Sequence, residues 1–179
     1  NANFPISLII QEKVTASISR EGVLNSFEVK GSLTLTAATE EVSNNSVQLA
    51  FARNVSDQFQ FITHPKINKA LYDKTLALAV KDVTKGFPVA RPVGILKWTL
   101  AAGNDHLLPI KINCWPEEES RGQMNVSIEY SLETPMVLHD VKVHIPVGTK
   151  DSPKIIAIDG NCKFNSAENT LVWERVPTP

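Results

Sequence analysis

The residues best equipped for chemistry meet at Asn113-Cys114-Trp115. A cysteine with a polar neighbour could act as a nucleophile or a metal ligand if its thiolate were stabilised. The chain holds two cysteines, Cys114 and Cys162, in separate segments and without Cys-x-x-Cys spacing. Two scattered thiols supply too few ligands for a structural metal site. His139 and His144 lie near Asp140 and Asp159, but on a strand positions 139 and 144 point to opposite faces. They are therefore read as surface histidines. His64 precedes Pro65 in a turn-like Thr-His-Pro-Lys, and His106 falls in a loop. The run Glu117-Glu118-Glu119, followed by Arg121 and Gly122, reads as a solvated hairpin tip. Glycoside hydrolysis needs two carboxylates across a cleft, and Glu12 alone falls at an inward strand position. The sequence has no Gly-x-Ser-x-Gly elbow and no Gly-rich phosphate loop. No catalytic residue, metal site or cofactor is expected.

These residues must be positioned by strands, because the dominant apolar period is two. Ile6, Leu8, Ile10, Val14, Ala16 and Ile18 share one face of the first segment. Phe27, Val29, Leu33 and Leu35 share one face of the second, and the Ser-Arg-Glu-Gly between them predicts an antiparallel hairpin. Similar alternation follows through Met124–Leu132 and Val141–Val147. In Leu108–Trp115 it puts Cys114 with Ile110 and Ile112, as a buried and inert thiol. Trp115 falls on the other face with Lys111 and Asn113, beside the Pro116 that ends the strand. Only His64–Lys74 suggests a helical turn. Around ten strands with short connections and one polar face each predict antiparallel sheets, in a β-sandwich or two β-subdomains. The Pro/Gly-rich Lys85–Gly94 is the candidate subdomain boundary.

The chain has 179 residues, 42% of them hydrophobic, with net charge −1 and a pI of about 6.5. Such a chain can bury a core without staples, and it carries no basic footprint for nucleic acid. No apolar run approaches the roughly 20 residues needed to span a bilayer. The start, Asn-Ala-Asn-Phe-Pro-Ile-Ser-Leu, lacks the basic start and apolar core of a signal peptide. The chain begins without Met and is read as a fragment or processed form. Reduced, buried cysteines fit a cytosolic protein. A secreted β-sandwich for adhesion or carbohydrate binding would instead carry glycan on Asn44, Asn54 or Asn125 and a Cys114–Cys162 bridge.

Two stretches resemble a known family. One runs "THPKINKALYDKTLALAVKDVTKGFPVARPVGILKWTL"; the other joins "LPIKINCWPEEESRGQMNVSIEYSLE" to "DVKVHIPVGTKDSPKIIAIDGNCKFNSAENTLVWE". Together they resemble the mu homology domain of clathrin-adaptor medium chains, and the wording "GILKW" and "INCWP" is similar to the delta subunit of coatomer, the COPI coat. The similarity runs from Ile6 to Trp173. It implies an all-β, elongated antiparallel β-sandwich of two subdomains, here without the C-terminal strands of the family. Residues 1–99 would form the N-terminal part of subdomain A, and 100–179 part of subdomain B. Strands such as Ile6–Ser19 would then leave an exposed edge.

The resemblance further implies a non-enzymatic adaptor of the COPI coat in retrograde Golgi-to-ER transport. It would be cytoplasmic and peripheral on Golgi membranes through the coat. Its partners would be other coatomer subunits and tryptophan-based motifs in disordered segments of ER tethers and Arf GTPase-activating proteins. A tryptophan ligand suits an aromatic or aliphatic pocket with a polar rim. Candidate peptide-binding residues are Ile95 and Lys97, read as the polar face of one strand, with Lys111 and Asn113 on the adjacent strand and Trp115 beside them. Leu96, Trp98 and Leu100 are read as core. A tyrosine-motif adaptor is the alternative within the family.

Overall fold

In the computed structural model, residues 4–51, 59–101, 107–132 and 137–175 are described. They form two compact units, Asn1–Leu108 and Pro109–Pro179. Asn54 and His106 lie outside the described residues.

In the first unit, β1 (Ile6–Ile18) and β2 (Leu24–Ala37) form a long antiparallel hairpin. Its turn carries Gly22 at φ 81°, a left-handed conformation that glycine adopts without strain. The sheet continues through β6 (Val93–Ala101) to β4 (Gln60–Thr63), in the order β1-β2-β6-β4. Between the strands lie the short pair β3 (Val47–Gln48) with β5 (Ala77–Leu78), and helix α1 (Lys69–Thr75). The helix starts where Asn68 Oδ1 accepts the Leu71 N–H at 3.1 Å, and ends at Leu76 in the left-handed region. It buries Tyr72, and that burial raises the phenol above its usual range, with Asp73 adding to the effect.

The period-two reading of β2 holds: Phe27, Val29, Leu33, Leu35 and Ala37 are all buried. Leu33 and Leu35 pack with Ile67, Tyr72, Leu78 and Phe87, while Phe27 and Val29 pack with Leu100 and Leu108. One row crosses the sheet between these clusters. Glu12, Gly31, Trp98 and Phe61 stand opposite one another on β1, β2, β6 and β4. The Trp98 indole lies over Gly31, where an added Cβ would fall inside the ring, and its Nε1 donates to Glu12 Oε1 at 2.6 Å. Glu12, the carboxylate expected at an inward position, has this indole as its partner but remains exposed to solvent.

The expected boundary within Lys85–Gly94, and the division at 99/100, fall earlier than the division after Leu108. The Pro/Gly passage stays inside the first unit, because Ala90 N–H donates to Ala37 and Phe87 is buried in the core. β6 beyond it is enclosed between β2 and β4.

In the second unit, β7 (Ile110–Ser120) pairs with β8 (Gln123–Leu132). A three-stranded sheet runs β10 (Asn161–Asn165), β11 (Thr170–Arg175), β9 (Val141–Pro146). Pro116 does not end β7. It stands opposite Val126 inside the ladder, and Glu117–Glu119 are strand rather than tip. A two-stranded ribbon tolerates proline because alternate N–H groups face away from the partner strand.

Gly31→Ala should displace the indole and cost about 1–3 kcal/mol, the usual scale of overpacking. A lowered urea midpoint would report it, and adding Trp98→Phe should recover part of the loss.

Candidate functional site

The five residues proposed to contact a ligand are divided between the two units. Ile95 and Lys97 belong to the first unit, and Lys111, Asn113 and Trp115 to the second. The strand carrying Lys111 pairs with β8, not with β6. Ile95 is 0% exposed, which corrects its assignment to a polar face. The cause is a β-bulge: Leu33 stands opposite Leu96 and Thr34 opposite Gly94, leaving Ile95 as the extra residue. At a bulge two residues oppose one and alternation breaks, so Ile95 and Leu96 both enter the core. Leu96 and Leu100 are buried as expected, and Trp98 is half-buried. Lys97 is exposed on the outer sheet face, between Ser32 and the exposed Ile62.

On β7, Lys111, Asn113 and Trp115 do share a face, opposite Ser131, Glu129 and Ser127 of β8. Trp115 is 46% exposed. The other face carries Ile112, Cys114, Ile128 and Tyr130. Cys114 has the predicted neighbours but is exposed, which corrects the expectation of a buried thiol. Parity determines which face a side chain takes, and a separate element must then cover that face. Cys162 is half-buried, and both cysteines are free.

The aromatic meeting point in this unit was not anticipated. The Tyr130 ring of the hairpin lies 5.8 Å from the Trp173 ring of β11, and Trp173 Nε1 donates to the Asp159 carbonyl at 2.7 Å. Val141 and Val143 close the space behind the two rings. Beside them an open hollow of about 410 Å³ is lined by Ile128, Glu129, Tyr130, Asp159 and Trp173. Aromatic walls with acceptor oxygens at the rim suit a flat apolar group bearing one N–H. Alternation already put Tyr130 on the Ile128 face, and the ladder sets Trp173 opposite Val143 and Cys162. What a local pattern does not contain is that the two sheets meet at these rings.

The sheet beneath is registered partly by charge. Lys142 stands opposite Glu174, with Nζ–Oε1 at 3.1 Å, and this contact holds the Glu174 carboxyl below its usual range. His139 and His144 are exposed. Among the described residues, no three His, Cys, Asp or Glu side chains are grouped to hold a metal, and no helix is long and apolar enough to cross a membrane.

The adaptor complexes medium subunit family matches residues 2–175 of this chain. A probable coatomer subunit delta of Caenorhabditis elegans is 34% identical over 164 residues, covering 91% of this chain and 31% of that protein. The chain thus spans about a third of the length of such relatives. Among solved structures, the yeast delta-COP-I mu-homology domain superposes with a TM-score of 0.79 at 28% identity, covering 98% of this chain and 76% of that one. The same yeast domain complexed with a Dsl1 WxWxV peptide gives 0.80 at 29% identity, covering 97% and 71%.

Exposure predicts that Cys114 reacts with a thiol-specific chromogenic reagent in the folded chain, with Cys162 slower. Cys114→Ser should remove the fast phase; a fast phase that survives would place the reactive thiol elsewhere.

Proposed function

The chain belongs to the medium-subunit family of adaptor complexes, and on that premise we propose that it is the mu homology domain of a coatomer delta subunit. It acts as a non-enzymatic adaptor module of the COPI coat that binds short tryptophan-based motifs. The observation that carries this reading is the likeness, over 97% of the chain, to a yeast domain bound to a WxWxV peptide. The partners that follow are other coatomer subunits, and disordered segments of ER tethers and Arf GTPase-activating proteins. The setting is retrograde Golgi-to-ER transport, on the cytoplasmic side of Golgi membranes.

Within the chain, the Tyr130–Trp173 hollow has the chemistry that such a motif requires. A tryptophan inserted against those rings would bury a large apolar surface and keep its N–H within reach of rim acceptors. A second reading puts the peptide on the opposite face of the same hairpin, at Lys111, Asn113 and Trp115, and rests on the half-exposed indole of Trp115. On the first unit, the candidate is Lys97, exposed on the outer sheet face, whose charge would suit an acidic flank.

Calorimetric titration with a Trp-x-Trp-x-Val peptide should give measurable binding, and a Tyr-based motif should not compete. Tyr130→Ala should weaken the Trp peptide by about tenfold or more, the scale of an aromatic hot spot. Loss confined to Trp115→Ala would move the site to the other hairpin face, and loss confined to Lys97→Glu would move it to the first unit. No heat from the folded wild-type chain would overturn the function itself.

A further inference from the structure

Charge is unevenly spread along the chain. Between His64 and Arg91 stand Lys66, Lys69, Lys74, Lys81, Lys85 and Arg91 against Asp73 and Asp82, a net +4 within a chain of net −1. The fold gathers part of this charge. Ile67 and Val80 form an isolated antiparallel bridge with both side chains buried, and Lys81 N–H donates to the Lys66 carbonyl at 2.8 Å. In that register Lys66 and Lys81 stand opposite each other and point outward. Cross-strand neighbours lie about 4.5–5.5 Å apart at Cβ, and like charges so placed repel.

No carboxylate among the described residues offsets that repulsion. Lys66 Nζ donates to the Gly86 carbonyl at 3.0 Å, which brings Lys85 to the same edge. Neither Lys66 nor Lys81 has a carboxylate within ion-pair distance among the described residues, whereas Lys69 pairs with Asp73 and Lys85 with Asp82. Asp82 is further engaged by the Thr84 hydroxyl and N–H, which hold its carboxyl below the usual range. Between Lys81 and Lys85, Val83 is 71% exposed.

We propose that the Lys66–Lys81 face, with Lys85 and Val83 beside it, docks a short acidic segment of a partner protein. Discrete carboxylates can meet the two uncompensated ammonium groups while avoiding Asp73 and Asp82. A uniformly anionic membrane surface would have to approach those two aspartates as well. The aliphatic tip of Val83 gives such a segment one apolar contact. This surface lies on the first unit and is independent of the tryptophan-motif reading.

The test is fluorescence anisotropy of the chain with a labelled peptide of alternating Glu and Ser, with an alternating Gln and Ser peptide as control. The Glu peptide should bind, more weakly as salt rises, and the Gln peptide should not. Lys66→Glu with Lys81→Glu should weaken binding by about tenfold or more, since two attractions become repulsions. Lys66→Arg with Lys81→Arg should retain it, and Lys74→Glu should stay within about twofold. Circular dichroism melts check the fold, and Lys66→Gln with Lys81→Gln replaces the charge reversal if that variant is unfolded. An unchanged double variant, or an equal loss from Lys74→Glu, would overturn the proposal. So would binding to phosphatidylserine vesicles, sensitive to the double variant, without binding to the peptide.

Discussion

The first unit depends on one close approach. Trp98 can lie flat across β2 only because residue 31 has no side chain, and its indole N–H then reaches the carboxylate of Glu12 on the next strand. Glu12 keeps its contact with solvent on this edge strand, so its charge is not buried. Its hydrogen bond from the indole ties three strands at a single level. The two buried clusters lie on either side of that level. Phe61 continues the row on β4, with its ring 6.5 Å from Trp98 and 5.0 Å from Phe51. An indole that already serves as a cross-strand tie has little freedom to serve a ligand.

The second unit is built on another principle. The apolar face of its three-stranded sheet carries Val141, Val143 and Ile145, Leu171 and Trp173, and Cys162 and Phe164. All are only partly covered, and no described residue of this unit is fully buried. Every fully buried hydrophobic side chain among the described residues belongs to the first unit. Apolar area still in contact with water is available for burial when something binds, at roughly 25 cal/mol per Å².

Much of this architecture was legible in the sequence, wherever local pattern and structure share a cause. Alternation in Leu24–Ala37 identified its buried face, Gly22 marked the hairpin turn, and the one helical stretch became α1. The failures came where a non-local contact decides. Ile95 enters the core because a bulge shifts the phase of β6, and a period-two reading has no means of counting the extra residue. Pro116 was read as a stop, yet it sits within β7 because that strand has only one partner. Cys114 was assigned to the correct face, but coverage of a face depends on elements remote in sequence. The Tyr130–Trp173 contact was missed for the same reason, although the side of its strand that Tyr130 takes was already clear.

The strand order β1-β2-β6 also constrains the sequence of events in folding. β1 and β2 are joined by a tight turn, so their pairing closes a short loop and can form within microseconds to tens of microseconds, on the order of isolated hairpins. β6 reaches the other side of β2 only after residues 38–92 have been gathered in, at a larger loop-closure cost. During that interval the backbone edge of β2 is unpaired, and Phe27, Val29, Leu33 and Leu35 meet water on one face of the hairpin, with the gap above Gly31 at its centre. For a chain emerging from the ribosome, that edge remains open until the segment ending in "GILKWTL" has been synthesised.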